Sequence, residues 1–249
     1  MVRRVARKTK AKSSARKTSA AAASRVSFLK WALRWSLRIL VGAVAVFLLI
    51  VVLFGFIRPP TTPYIVAEAW RHGGVSRSWV PIETMAPVMA RSVVAAEDAN
   101  FCLHWGFDMA AIREALEDGA GRGASTLSQQ TVKNVFLWHG RSWPRKALEA
   151  LMTPMVELVW SKRRILEVYL NVAEFDTGVF GVEAAARHYF GVSAADLNPV
   201  QAARLAAILP DPKNRSASQP SAFVRQRSAA ILDGAETIRQ DGRAACFED

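Results

Sequence analysis

The first 38 residues contain no aspartate or glutamate. They carry 12 of the 33 lysines and arginines, so from Ile39 onward 21 basic residues face 21 acidic ones. The net charge of +12 therefore belongs to the N-terminal arm. A neutral remainder excludes the broad basic face of a nucleic-acid-binding domain. Cysteine is nearly absent. Cys102 and Cys246 stand alone, which excludes a disulfide framework, and their positions leave open whether they pair. Alternating apolar and polar runs are scarce, so the part after the arm reads as mainly α. His72, His104, His139 and His188 lack metal-ligand spacing. Ser27-x-x-Lys30 matches a serine-nucleophile motif, but no Lys-Thr-Gly follows, and it is read as a chance match.

Residues 1–38 form a basic tail. Met1–Lys30 has few large apolar side chains and is expected to be disordered. The sharper reading of its charge is attraction to anionic lipid head groups. Ile39–Ile57 follows, with 19 residues and no charge. At about 1.5 Å per residue this run spans the hydrocarbon layer. Arg58-Pro59-Pro60 stands where a small-residue cleavage site would follow, which favours an uncleaved anchor over a signal peptide. The basic flank places the N-terminus in the cytoplasm and everything after Arg58 outside. The expected organisation is a tail (1–38), one transmembrane helix (39–57) and a folded domain (58–249). The proline-rich linker Arg58–Pro63 is short enough to keep the domain close to the bilayer.

Within the domain, Tyr64–Arg91 is poorly punctuated, with a short extended piece expected at Val80–Ile82. A helix is expected over Ala86–Ala96, with Glu97 at its C-terminal end, where the helix dipole would raise a carboxylate's pKa. Asp108 caps a helix over Met109–Asp118 that Gly119, Gly121 and Gly123 break. Ser125 or Thr126 caps the next helix, reaching Phe136. Ser142 caps a helix toward Trp160, with a kink expected at Pro154. Ser161 caps Arg164–Leu170, and Gly181 and Gly191 bracket Val182–Phe190. Asn198-Pro199 starts a helix stopped by Pro210, and Ala222–Gln240 is a final amphipathic helix.

The chemistry is concentrated in Ala95–Asn134. Carboxylates, small residues, hydroxyls, amides and a lysine crowd this stretch, a mix that suits a polar cleft better than a packed core. Glu97, Asp98, Glu149, Glu157 and Glu174 are the candidate carboxylates. Any one alone is usually solvated surface, and Arg145 with Glu149 reads equally as an ordinary surface ion pair. Two inward carboxylates beside Lys133 and Arg145 would instead suit glycosyl or phosphoryl chemistry. One carboxylate would take a proton, and the cations would stabilise a leaving diphosphate. His104, among Leu103, Trp105 and Phe107, reads as a structural residue.

These residues carry a resemblance. Glu97-Asp98-x-x-Phe101-x-x-His104-x-Gly106 resembles the first motif of the family 51 peptidoglycan glycosyltransferases. Gly123-Ala124-Ser125-Thr126-Leu127-Ser128-Gln129-Gln130-x-x-Lys133-Asn134 resembles the second, and Arg145-Lys146-x-x-Glu149 the third. Arg164-Ile165-Leu166-x-x-Tyr169-Leu170-Asn171 and Gly181-Val182-x-Ala184-Ala185-Ala186-x-x-Tyr189-Phe190 resemble the fourth and fifth. His139-Gly140-Arg141-Ser142-Trp143 and Ala173-Glu174-Phe175 bring the similarity nearest to the monofunctional biosynthetic transglycosylases. The end at Asp249 leaves no room for the transpeptidase that bifunctional relatives carry. Departures are Ser128 for a threonine, Gln201 for a common glutamate, and a short segment between Asp118 and Gly123, which implies a smaller flap.

The resemblance implies a lysozyme-like, mainly α glycosyltransferase domain with a membrane-facing jaw and one N-terminal transmembrane helix. It implies polymerisation of lipid II into linear glycan strands with release of undecaprenyl diphosphate. Glu97 would deprotonate the acceptor's GlcNAc 4-hydroxyl for attack with inversion at the donor's anomeric carbon. Glu149 would join it in catalysis, through a divalent metal (magnesium or manganese), with no organic cofactor. Lys133 and Arg145 would handle the diphosphate, and Ser125, Gln129, Gln130, Asn134 and Asp98 would bind substrate. Implied partners are lipid II, the growing strand, the membrane and other cell-wall synthesis or division proteins. The implied location is the bacterial inner (plasma) membrane, with a periplasmic catalytic domain. A glycan-cleaving enzyme of the same fold would need no cationic diphosphate site, and an inert scaffold would need none of these polar residues.

Overall fold

The computed structural model describes residues 3–117, 125–140 and 142–248, without the side chains of residues 3–29 and 116. The expected break at Gly119, Gly121 and Gly123, the opening of the second motif through Ala124, and Arg141 lie outside the described residues. The chain falls into two units, one ending at Ile50 and the other beginning at Val51.

In the first unit the chain is helical, because helix α1 (Arg3–Phe56) already begins in the basic arm. This corrects the expectation of a disordered tail. Alanine, lysine and arginine are strong helix formers, and a helix nucleated in the apolar run extends with one backbone bond per residue. Lys30–Phe56 is long and apolar enough to cross a membrane, and its side chains lie almost wholly exposed.

The second unit opens with the last turns of α1. Carbonyls in its last turns, and that of Ile57 just beyond, accept side-chain donors from the domain that follows. Trp160 Nε1 donates to Val51 O at 2.7 Å. Arg164 donates to Phe54 O at 2.9 and 3.0 Å and to Ile57 O at 2.6 Å. Helix α2 (Pro63–His72) follows at once, capped by Thr62 and closed by Gly73. Strand β1 (Ser76–Arg77) comes next, and of the extended piece expected at Val80–Ile82, Pro81 is extended while Ile82 begins a 3-10 turn (Ile82–Thr84). Helix α3 (Pro87–Glu97) leads to a second 3-10 turn (Phe101–Leu103) and to α4 (Met109–Glu117). Then come α5 (Leu127–Phe136), α6 (Trp143–Val159) and α7 (Lys162–Val172). Helix α6 runs through Pro154, where Thr153 Oγ1 donates to Glu149 O at 2.7 Å.

Strands β2 (Glu174–Asp176) and β3 (Val179–Phe180) complete a small sheet of order β1-β3-β2, parallel between β1 and β3 and antiparallel between β3 and β2. Helices α8 (Val182–Phe190), α9 (Pro199–Ile208), α10 (Ala222–Gln240) and α11 (Ala245–Glu248) finish the chain. The fold is mainly helical, as expected.

Helix α7 is the central post, with Ile165, Leu166, Val168, Tyr169, Leu170, Asn171 and Val172 all buried. Asn171 exchanges hydrogen bonds with both backbone groups of Val80 at 2.9 Å. Gly181 must be glycine. Its φ is +83°, and a Cβ there would lie 2.9 Å from Asn171 O. Helix α5 packs on α7 and α6, and α3 packs against α9 and α10. The ends of α3, α5 and α6 thereby meet around one groove.

Candidate active site

The groove starts where α3 stops. Asp98 closes α3 and spends both carboxylate oxygens within the protein. Oδ2 accepts from Leu127 N, the first residue of α5, and Oδ1 from His104 Nε2, each at 2.9 Å. A carboxylate at a helix N-terminus meets unsatisfied N–H groups and the positive dipole end. Asp98, expected to bind substrate, is thus placed as the pin between α3 and α5, and His104, expected to be structural, holds that pin. Thr126 and Gln129 form a capping box on α5, so Gln129 is buried in backbone capping. Gly106 lets this happen, since Thr126 Oγ1 donates to its carbonyl at 2.6 Å.

With α5 pinned, Gln130 reaches Glu97. Its Nε2 donates to Glu97 Oε2 at 2.9 Å, while its Oε1 accepts from the Tyr169 hydroxyl at 3.2 Å. Glu97 Oε1 is buried and has no hydrogen-bond partner among the described residues. Burial holds the Glu97 carboxyl above its usual range, against the Gln130 hydrogen bond and the Arg227 and Lys133 charges, with Asp98 pushing further up. The direction agrees with the sequence expectation. The main cause is loss of water around the carboxylate, where the sequence pointed to the helix dipole.

Lys133 lies one turn further along α5. Burial lowers its pKa, and Arg145 and Lys146 lower it further, while Glu149 and Glu97 hold it up. Its ammonium makes no hydrogen bond among the described residues, while its carbonyl accepts from Leu137 N at 3.2 Å. Glu149 on α6 is buried. Its Oε2 accepts from Arg145 Nη1 at 2.9 Å, and its Oε1 accepts from Lys146 Nζ. Arg145 and Glu149 are thus an inward pair, not the surface pair considered from the sequence. Lys146 also donates to Ser125 Oγ at 3.0 Å, so Ser125 sits at the cation cluster. Lys146 was missed as a site residue, although its place three residues before Glu149 on one helix was a readable signal.

Asn134 lines a cavity of about 310 Å³ together with Gln130, Lys133, Tyr169, Glu174 and Lys213. Its Oδ1 lies 3.1 Å from His139 Nε2. That ring stacks on Tyr64 at 3.4 Å, and its pKa falls to about 3 through burial and the Lys133 and Arg145 charges. His139 is therefore neutral and can donate to Asn134. A second hollow, of about 240 Å³, lies along Glu97, Asp98, Asn100, Asp108 and Ser125. Glu97 and Gln130 stand between the two hollows. Of the other candidate carboxylates, Glu157 accepts from Ser128 Oγ and from Lys162 Nζ at 2.7 Å. Glu174 accepts from Tyr64, from Gly178 N at 3.1 Å and from Lys213.

Among the described residues no three or more His, Cys, Asp and Glu side chains gather as a metal cage, and each Glu149 oxygen accepts from a cationic side chain. The cluster is built to receive an anion.

Such a groove can take a proton from a hydroxyl at Glu97 and steady an anionic leaving group at Lys133, Arg145 and Lys146. That is the equipment of a glycosyltransferase using a phosphate-activated donor. Sequence comparison agrees. The family described as Transglycosylase matches residues 65–236. The biosynthetic peptidoglycan transglycosylase of Jannaschia sp. (strain CCS1) is 62% identical over 225 residues, covering 90% of this chain and 94% of its own length. Proteins of the same name from Caulobacter vibrioides and Rhodospirillum centenum are 48% and 43% identical over 200 and 229 residues. They cover 79% and 90% of this chain, and 87% and 99% of their own lengths. This chain belongs to the transglycosylase family, with its lysozyme-like helical domain and its glycosyl-transfer activity.

Proposed function

We propose that this protein polymerises lipid II into linear peptidoglycan strands and releases undecaprenyl diphosphate. The carrying observation is an unpartnered, buried Glu97 Oε1 that feels the charge of Lys133, which in turn feels the Arg145, Lys146 and Glu149 cluster. Glu97 takes the proton of the acceptor's GlcNAc 4-hydroxyl. The freed oxygen attacks the donor's anomeric carbon from the face opposite the diphosphate, so the configuration inverts as the carbon–oxygen bond breaks. The leaving electron pair passes to the diphosphate, whose charge Lys133, Arg145 and Lys146 meet. Glu149 touches those cations, which makes it a positioning residue in place of the catalytic role expected from the sequence. Asp98 and Gln129 likewise position α5.

The catalytic domain faces the periplasm across the inner membrane, with the arm in the cytoplasm. Two observations support this. The basic residues flank the N-terminal side of the apolar run. Cys102 and Cys246 form a disulfide, which persists in oxidising compartments.

The test is polymerisation of purified lipid II by the full-length protein in detergent. Wild type is expected to make glycan strands, and Glu97→Gln to lose roughly 100- to 10,000-fold in kcat, the usual contribution of a positioned base. Undiminished polymerisation by Glu97→Gln would remove the base. Cleavage of finished glycan without polymerisation would reassign the enzyme to hydrolysis.

A further inference from the structure

The end of α3, which carries Glu97, is held by the C-terminal segment. Arg227 on α10 donates to Ala96 O at 3.3 Å, one residue before the base. Arg243, between α10 and α11, donates to Ala99 O at 3.2 Å. Cys246 on α11 is joined by a disulfide to Cys102 in the 3-10 turn, with the Cα atoms 5.7 Å apart across 144 residues of sequence. Helix α11 is only four residues long and cannot hold its shape alone. It is fixed by its surroundings. Phe247 is buried against Phe101 with ring centroids 6.5 Å apart, and its carbonyl accepts from Arg163 at 2.7 Å. Glu248 accepts from Arg91 on α3 at 2.6 Å.

The bonded turn sits at the head of a chain of contacts ending at the base. Two residues past Cys102, His104 holds Asp98. Asp98 holds Leu127 at the start of α5, and Gln130 one turn later holds Glu97. We propose that Cys102 and Cys246 are a positioning pair. Their disulfide fixes the Phe101–His104 turn so that Asp98 pins α5 and Gln130 presents Glu97, and its reduction slows glycosyl transfer while the domain stays folded. Both cysteines are half-buried, within reach of a small dithiol. A dithiol's thiolate attacks one sulfur and the bond breaks. Two electrons and two protons then arrive on the cysteines, and the reagent departs as its own disulfide.

The inference rests on the proposed function, and the experiment separates the two. Full-length protein in detergent is assayed on lipid II in the oxidised state, after reduction with dithiothreitol, after reduction and alkylation, and as Cys102→Ser and Cys246→Ser. A displacement of about 1 Å in a catalytic group can cost on the order of 100-fold, so reduction is expected to lower kcat by about tenfold. KM for lipid II should change less than about twofold. Reoxidation of the unalkylated sample should restore kcat. Hydrogen exchange at the Phe101, Leu103 and Leu127 amides should rise on reduction, while that in α7 stays unchanged. An unchanged kcat after complete reduction overturns the proposal, and so does exchange rising through α7, because the bond would then be a general staple. If oxidised wild type shows no activity on lipid II, the function reading fails, and local exchange at Leu127 still decides whether the pair positions α5.

Discussion

Glu97 keeps one carboxylate oxygen on Gln130 and leaves the other buried and unpaired. An unsatisfied buried acceptor costs stability in the resting protein. Under the proposed mechanism an acceptor hydroxyl would donate to this oxygen and offset that cost. Because burial raises the Glu97 pKa, the base is protonated at higher pH than an ordinary glutamate. Activity should therefore fall as pH drops, with the acid limb of kcat/KM centred above the usual carboxylate value of about 4.3. A pH profile measures this, and a limb at or below that value would contradict the burial argument. Glu149 poses a different question, since its two oxygens accept from Arg145 and Lys146. Glu149→Gln keeps the shape but loses charge, so kcat should drop by roughly 10- to 100-fold as the two cations lose their anchor. The Lys146→Ala variant should cost a comparable factor, and the double variant little more than either alone, as residues acting as one unit are non-additive. Additive losses in that cycle would mean that Glu149 contacts substrate directly.

Helix α5 sets the distance between base and cations, because Gln130 and Lys133 lie one turn apart on it. Its register depends on Thr126, Gln129 and Asp98 at its N-terminus, so Thr126→Ala should cost about 1 kcal/mol of stability, read by thermal or denaturant unfolding. Gly181→Ala should cost more, about 1–3 kcal/mol, for forcing a side chain into a left-handed conformation. Most of these elements were legible in the sequence because their caps are side chains with a local signature. Thr126, Ser142, Ser161, Asn198 and Ser221 each stand at the start of a helix and accept from its third residue. Helix α2 was equally signalled, by Thr62-Pro63 and the Gly73-Gly74 stop, and was passed over. The sheet was not legible, because strands of two or three residues are too short to display alternation. Nor was the cluster in which an exposed Lys213 meets the buried Glu68 and Glu174, residues that lie up to 145 positions apart and meet only through the fold. The disulfide was open for the same reason.

At the scale of the whole molecule, helix α6 presents two chemically different faces. At 3.6 residues per turn, Arg145, Lys146 and Glu149 fall on one side, and Leu148, Leu151 and Leu158 on the other. The first face lines the site, while the second is exposed, with Leu151 and Leu158 at 66% and 72%, and Trp138 and Trp143 lie exposed at the start of the helix. An uninterrupted apolar stripe of this kind in water is a liability, and it is accounted for if lipid covers it. The two faces of one helix would then place the cationic cluster near the head-group level, where the diphosphate of a lipid-linked sugar must lie. This makes the helix testable apart from the chemistry. Replacing Leu151 and Leu158 together by glutamate leaves every site contact in place. Polymerisation of lipid II presented in vesicles should fall by on the order of tenfold, because two buried apolar side chains are worth a few kcal/mol at the interface. Lipid II dissolved in detergent should be used nearly as well as by wild type, since a micelle adapts to the altered surface. Equal losses in both formats would mean that the stripe packs against protein, and the orientation drawn from α6 would have to be abandoned.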